Sequence, residues 1–335
     1  MSSNGAVIIY GYEESPYAHK INHVLKLKNI PHHKVTVSSV LPRPELSELL
    51  GISYRRIPIL AIGNDVYCDT SLIAYALERR FPASAGHGSI FPKRKGGKAD
   101  TGMIKAFQTY TDKMVFSLAG GQLPWNKFPE AFLKDRSEYA GGTINAGAMM
   151  ARQPQALSLL SSNLALVEEQ LSDGREWLFD TEQPSLADVS VYFPYDWIKW
   201  KKDLFDTSKF PHAIQWIGRM AAHLNKLKED GAGKATDISG ADAGKLILAA
   251  AHEPYAVVGF DEVEAKRLSV QAGAIVAIAP EDSGRKHPTT GKLVGLNREE
   301  FVLETSGVSG SLVRCHFPRI GYSIRAVTVG VGAKL

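Results

Sequence analysis

Three successive parts are predicted for this chain: an α/β unit, an all-α unit and a small β-rich unit. Residues 6 to 82 alternate short strand-like and helix-like runs. Residues 98 to 224 carry apolar side chains at helical spacing, and beyond residue 241 the pattern turns to short β-rich runs separated by Gly, Pro and Asp turns. At 335 residues the chain is long enough for two or three domains, each with its own core.

In the first part "AVIIY" reads as a buried strand, Pro16 to Leu27 as a helix, "HHKVTVS" as a second strand and "PELSELL" as a short helix. Two strands follow, "IPILAI" and "DVYCD", about the turn "GND", and then the helix "TSLIAYALERRF". This β-α-β-α-β-β-α order is that of a thioredoxin-like domain with a mixed four-stranded sheet, set at residues 1–83. A Gly, Pro and Lys rich stretch, Pro82 to Lys98, closes it, and its cluster "KRKGGK" reads as a solvated linker. In the helical domain, residues 98–224, Met103, Phe107, Tyr110, Met114 and Leu118 form one stripe and Leu157, Leu160, Leu164, Val167 and Leu171 another. Such stripes read as core, with Phe107, Tyr110 and Met114 also candidates to line a ligand. Asn225 to Asp242 has the composition of a second linker. In residues 241–335 a short helix precedes "GAIVAIAP", "GKLVGL", "EFVLET", "SLVRCHF" and "YSIRAVTV", five strands that suggest a small barrel or sandwich docked on the helical domain.

Composition narrows the function classes. The formal charge is only +4, with basic and acidic residues interleaved, which argues against nucleic acid and membrane surfaces as partners. Cys68 and Cys315 are the only cysteines, far apart in sequence and outside any CxxC pattern, so neither a disulfide framework nor a metal site is indicated. Neither a leader-like N-terminus nor a long apolar run is evident, and a soluble, reducing, cytoplasmic setting is expected.

The stretch "YGYEESPYAHK" poses the chemical question: Ser15 stands just before the first helix, where a thioredoxin-like redox protein carries its reactive cysteine. Free N–H groups and the helix dipole stabilise an anion at that place. With serine there the anion site persists without a thiol of the chain's own, as suits a thiol that arrives on a ligand. Pro16 fits the first turn, where its missing N–H costs nothing. Alone, the pattern reads more readily as a plain N-cap serine. Two further signals stand in the right order. "RRIPIL" sets Ile57 before Pro58, where a cis bond would turn the Ile57 backbone toward a peptide-like ligand, and "CDTSLIAYAL" puts Asp69 and Thr70 at a second helix N-terminus.

With these motifs, residues 6 to 224 resemble the glutathione transferase family, serine-type. "SPYAHK", "RRIP" and "DTSLIAYALERRFP" carry the likeness in the first domain, and "PSLADVSVYF" matches the family's capping box in the second, with Ser185 and Asp188 in a folding role. The acid-serine pair of the family is here Asp-Thr. The last part resembles the domain appended to glutathione transferase-like proteins of filamentous fungi.

The resemblance implies glutathione as co-substrate or cofactor and no metal. It implies that Ser15 bonds the glutathione sulfur, Ile57 pairs with the cysteinyl unit, Thr70 and Asp69 hold the γ-glutamyl carboxylate and ammonium, and Arg56 holds the glycyl carboxylate. Tyr10 is the rival for the sulfur, since tyrosine-type members use a tyrosine at the end of the first strand. The electrophile would lie against Tyr12, Phe107, Tyr110 and Met114.

The expected activity is addition of the glutathione thiolate to a small hydrophobic electrophile, by a cytoplasmic homodimer, in detoxification or secondary metabolism. A glutathione-dependent cis-trans isomerase and a non-catalytic binding or regulatory protein on the same fold are the alternatives. Other apparent signals fail: "GAGKAT" and "GADAGKL" lack phosphate-loop spacing, and His32 and His33, adjacent on a strand, face opposite sides. His316 and Arg319 read as parts of the last domain's own framework.

Overall fold

The computed structural model describes residues 5–327. Its first unit runs β1 (Val7–Gly11), α1 (Pro16–Leu27), β2 (His32–Thr36), α2 (Pro44–Ser47), β3 (Ile59–Ile62), β4 (Asp65–Cys68) and α3 (Thr70–Arg80), the order expected. β1 pairs with β2 in parallel and with β3 antiparallel, and β3 pairs with β4 antiparallel. Every residue of β1, β3 and β4 is buried, because both faces of the sheet are covered. Strand alternation divides them: Val7, Ile9, Leu60, Ile62 and Tyr67 pack with α1, α3 and the helical part, while Ile8, Tyr10, Ile59, Ala61, Val66 and Cys68 belong to a second core on the opposite face.

The helical part consists of α4 (Thr101–Tyr110), a five-residue π turn (Thr111–Val115), α5 (Phe116–Gly121), α6 (Glu130–Ala140), α7 (Ala146–Leu171), α8 (Leu186–Trp197) and α9 (Pro211–Glu229). α7 buries Leu160, Leu164, Val167 and Leu171, as its spacing predicts. Along α4 to α5 the buried stripe is instead Ile104, Gln108, Thr111, Val115 and Ala119, one residue on from the stripe read in the sequence; Met103, Tyr110 and Met114 are exposed. The cause is polar: Gln108 is met by the Tyr75 hydroxyl at 3.2 Å, and Thr111 donates to the Phe107 carbonyl at 3.0 Å. Two satisfied polar side chains thus occupy core positions that apolar periodicity passes over. α8 begins with the expected capping box: Ser185 N donates to Asp188 Oδ2 at 2.8 Å, while Asp188 Oδ1 accepts from Leu178 N at 2.9 Å and Trp216 Nε1 at 3.1 Å.

Past α9 come β5 (Ala235–Asp237), α10 (Gly240–Ala249), α11 (Tyr255–Val258), α12 (Glu262–Arg267), β6 (Ile275–Pro280), β7 (Thr289–Leu296), β8 (Glu300–Ser306), β9 (Leu312–Pro318) and β10 (Tyr322–Ala326). The five β-rich runs all form strands, although the end of "YSIRAVTV" lies outside the described residues. The segment read as a linker contains β5, which adds to β2 in parallel.

One expectation is corrected. β6 to β10 do not close into a barrel on the helical part but continue the first sheet, giving ten strands in the order β10-β6-β7-β8-β9-β4-β3-β1-β2-β5. β9 lies parallel to β4 with Val66 opposite Cys315 and Tyr67 opposite His316. Without β9, β4 would be an edge strand with a row of unpaired N–H and C=O groups. The second core spans the junction, joining Ile8, Ile59 and Val66 to Ile247, Val276, Leu293, Phe301 and Phe317. Cys68 and Cys315, unrelated in sequence, are both fully buried, with sulfurs 3.8 Å apart and no disulfide. Among the described residues no helix is long and apolar enough to cross a membrane.

Candidate functional site

Three chain segments meet at the same end of the first sheet, where the ligand cleft is expected. Ser15 caps α1: its Oγ accepts from Ala18 N at 3.3 Å, which leaves its O–H proton available to a ligand. The Ile57–Pro58 bond is cis. Asp69 caps α3 with φ +74° and ψ 135°, backbone angles that cost a non-glycine residue about 1–3 kcal/mol. That conformation is held from several sides, since Asp69 Oδ1 accepts from Ser71 N at 2.9 Å and Ser71 Oγ at 2.6 Å. Thr70, buried, is the first residue of α3.

The appended strands reach this cleft. Tyr322 on β10 donates to Asp69 Oδ2 at 3.0 Å, and because its single proton is committed there, the Tyr54 hydroxyl 2.7 Å away donates to Tyr322. Burial first, and then the Asp69 charge, push both phenols well above their ordinary pKa. In the loop between β6 and β7, Asp282 pairs with the Arg56 guanidinium, whose Nη2 also donates to Ser283 O at 2.8 Å and Ser283 Oγ at 3.1 Å. Gly284, at φ +71°, turns this loop and donates from its N–H to the Tyr139 carbonyl on α6 at 2.7 Å. Arg55, next to Arg56, pairs with Asp135 of α6 at 2.7 Å.

The helical side contributes a buried ion pair. Lys20, on α1 and fully buried, meets Asp112 of the π turn at 2.6 Å, and the Tyr17 hydroxyl donates to the Asp112 carbonyl at 2.9 Å. Burial raises the Asp112 pKa, and Lys20 opposes that rise. Tyr17 is pushed well above its ordinary range by burial, then by the charges of Asp112 and Asp69, so it is a neutral donor at any physiological pH. A surface cavity of about 410 Å³ lies elsewhere, between β2, α2 and α10, and holds none of these groups.

Residues 9–85 match the family model of the glutathione S-transferase N-terminal domain, and residues 118–229 match that of a domain of unknown function, DUF7962. A GST-like protein from Pseudomonas syringae, of known crystal structure, is 25% identical over 96% of this chain and 100% of its own, with a TM-score of 0.64. Residues 9–85 thus carry the N-terminal domain of the glutathione transferase family, and the chain has the glutathione transferase fold. Poplar glutathione transferase F1 shares its fold, with a TM-score of 0.50 at 17% identity over 67% of this chain and 97% of its own. The bacterial relative extends over the appended strands as well, whereas the poplar enzyme accounts for about two thirds of the chain. No curated protein matches the sequence.

Within this glutathione transferase fold, Ser15, Arg56, Ile57, Asp69 and Thr70 all lie on the three segments that meet at this sheet end. Tyr10 points to the second core, fully buried with its hydroxyl unpartnered, and burial followed by Glu45 raises its pKa. Tyr12 lies on the Ser15 segment, its carbonyl accepting from Ser15 N at 3.2 Å, and packs in part against the second core. Phe107 stacks on Tyr110 and meets Phe179, Tyr110 donates to Asn163 of α7 at 2.7 Å, and Met114 is exposed. They sit on the helix face next to the one bearing Gln108 and Asp112. Tyr17, Lys20, Tyr54, Asp112, Asp282 and Tyr322 were missed; of these, only Tyr17 and Lys20 lie within the motif that pointed to Ser15.

Proposed function

We propose that this protein is a glutathione-dependent transferase in which Ser15 donates a hydrogen bond to the thiolate of bound glutathione, for attack on a small hydrophobic electrophile. One observation supports the reading above others: Ser15 and the Asp69–Thr70 pair cap two helices at the same sheet end, on either side of the cis-Pro58 loop. Both N-termini offer N–H groups and positive dipole ends, one suited to a thiolate and one to an α-carboxylate. In this reading Arg56 meets the glycyl carboxylate and the Ile57 backbone pairs with the cysteinyl unit. The thiol proton leaves to solvent, the sulfur forms a bond to the electrophilic carbon, and with an aromatic halide the carbon–halogen bond breaks and halide departs.

Tyr17, two residues past Ser15, bonds the Asp112 carbonyl and packs on Phe116, which favours an electrophile position against Tyr17, Phe116 and the π turn over one against Phe107, Tyr110 or Met114. The exposed apolar side chains Met103, Tyr110 and Met114, with Leu159 and Leu166 on α7, support a homodimer. Two buried, unlinked cysteines fit a cytoplasmic setting. A binding protein without turnover is the second reading, favoured by the engagement of Arg56 and Asp69 with Asp282 and Tyr322. Turnover of an aromatic halide with glutathione by the full-length protein supports the transferase; tight glutathione binding with no turnover of halides, enones or isomerisable alkenes supports the second reading.

A further inference from the structure

We propose that Asp282 is a resident competitor for the ligand's terminal carboxylate, so that the appended strands set how strongly the cleft discriminates glutathione from a ligand lacking the glycyl unit. The inference rests on the glutathione reading above. Arg56 is four-fifths buried and Asp282 more than half exposed, so the pair joins an enclosed guanidinium to a carboxylate that solvent reaches. Asp282 uses only Nη2, and Ser283 O and Oγ share that same nitrogen. The Arg56 Nε, by contrast, is buried with no hydrogen-bond partner. A guanidinium that presents Nε and Nη2 side by side takes a carboxylate through two parallel N–H donors, a stronger geometry than a single-nitrogen contact.

An incoming carboxylate thus satisfies the orphaned Nε while Asp282 turns to solvent, one carboxylate replacing another with no net change in buried charge. The loop itself stays anchored, since Gly284 is bonded to the Tyr139 carbonyl and His287 lies 3.2 Å from Glu138, both on α6. A ligand without the terminal carboxylate leaves the Arg56–Asp282 pair intact and gains nothing from its removal.

Calorimetric titration of the full-length protein and its Asp282→Asn variant with glutathione and with γ-glutamylcysteine amide, which lacks both the glycyl unit and a terminal carboxylate, tests this. Removing the competing charge of a partly exposed pair should tighten glutathione about three- to tenfold and leave γ-glutamylcysteine amide unchanged. If the wild type binds glutathione and the variant binds it no tighter, the inference falls and the glutathione reading stands. If both ligands tighten equally, Asp282 acts on general access to the cleft and the exchange is wrong. Failure of glutathione to bind either protein overturns both readings.

Discussion

At the scale of single residues the proposed reading gives the chemistry to Ser15, with Tyr10 as its control. Ser15→Ala should keep glutathione bound through Arg56, Asp69, Thr70 and the Ile57 backbone, while turnover falls roughly 10- to 100-fold, the cost of losing one donor to an anion. Tyr10→Phe should leave turnover unchanged, because its hydroxyl lies in the second core with no partner; steady-state kinetics with an aromatic halide checks both, and the reverse pattern would transfer the role to Tyr10. Ser15, Ile57, Asp69 and Thr70 were legible in the sequence because each sits at a local signal, a helix start or an Xaa-Pro step. Asp282 and Tyr322 were not, since 226 and 253 residues separate them from the Arg56 and Asp69 they contact, and only the ten-stranded sheet brings them there.

Among the elements, α8 depends most on one side chain. Asp188 is fully buried, and its carboxylate accepts from Ser185 N, Ser185 Oγ, Leu178 N and Trp216 Nε1. Asp188→Ala would leave those donors orphaned and should cost about 3 kcal/mol of stability, measured by denaturant unfolding, with glutathione affinity of the folded fraction unchanged. This element was legible as a Ser-x-x-Asp motif before an apolar run. α4 was legible as a helix but not in the face it buries. Gln108 and Thr111 are polar residues in core positions, and the π turn at Thr111–Val115 adds a residue per turn that a 3.6-residue period does not anticipate.

Across the whole molecule, the seam between β4 and β9 is held by charge as well as by backbone pairing. His316 Nδ1 faces Glu300 at 2.8 Å and Nε2 faces Asp65 at 3.1 Å, while Arg79 meets Glu300 and Glu253, both at 3.0 Å, and Arg80 meets Asp65 at 2.9 Å. Burial alone would lower the His316 pKa, but the two carboxylates outweigh it and raise it to about 9 from 6.5. A histidine raised on folding stabilises fully below its unfolded pKa, so this contribution is present below pH 6.5 and is lost as the pH rises through about 9. Asp65 and Glu300 are shifted down, burial being outweighed by their bonds to His316, so their contribution is lost only on the acid side. Thermal melts of the wild type should therefore show stability falling between pH 6.5 and 9. His316→Gln should be less stable at pH 6 and lack that alkaline limb; an unchanged slope in the variant would remove His316 from the account. The five appended strands were legible from their turns. Their attachment was not, because parallel pairing of β4 with β9 joins segments with no local signal between them.

The central claim, that the cleft activates a thiol brought by its ligand, is tested most directly by titrating the thiol of glutathione bound to the full-length protein, followed by the ultraviolet absorbance of the thiolate. The pKa should fall at least about one unit below the roughly 8.5 of a free thiol and move back toward it in Ser15→Ala. A bound thiol that titrates as it does in water, in wild type and variant alike, would contradict the claim.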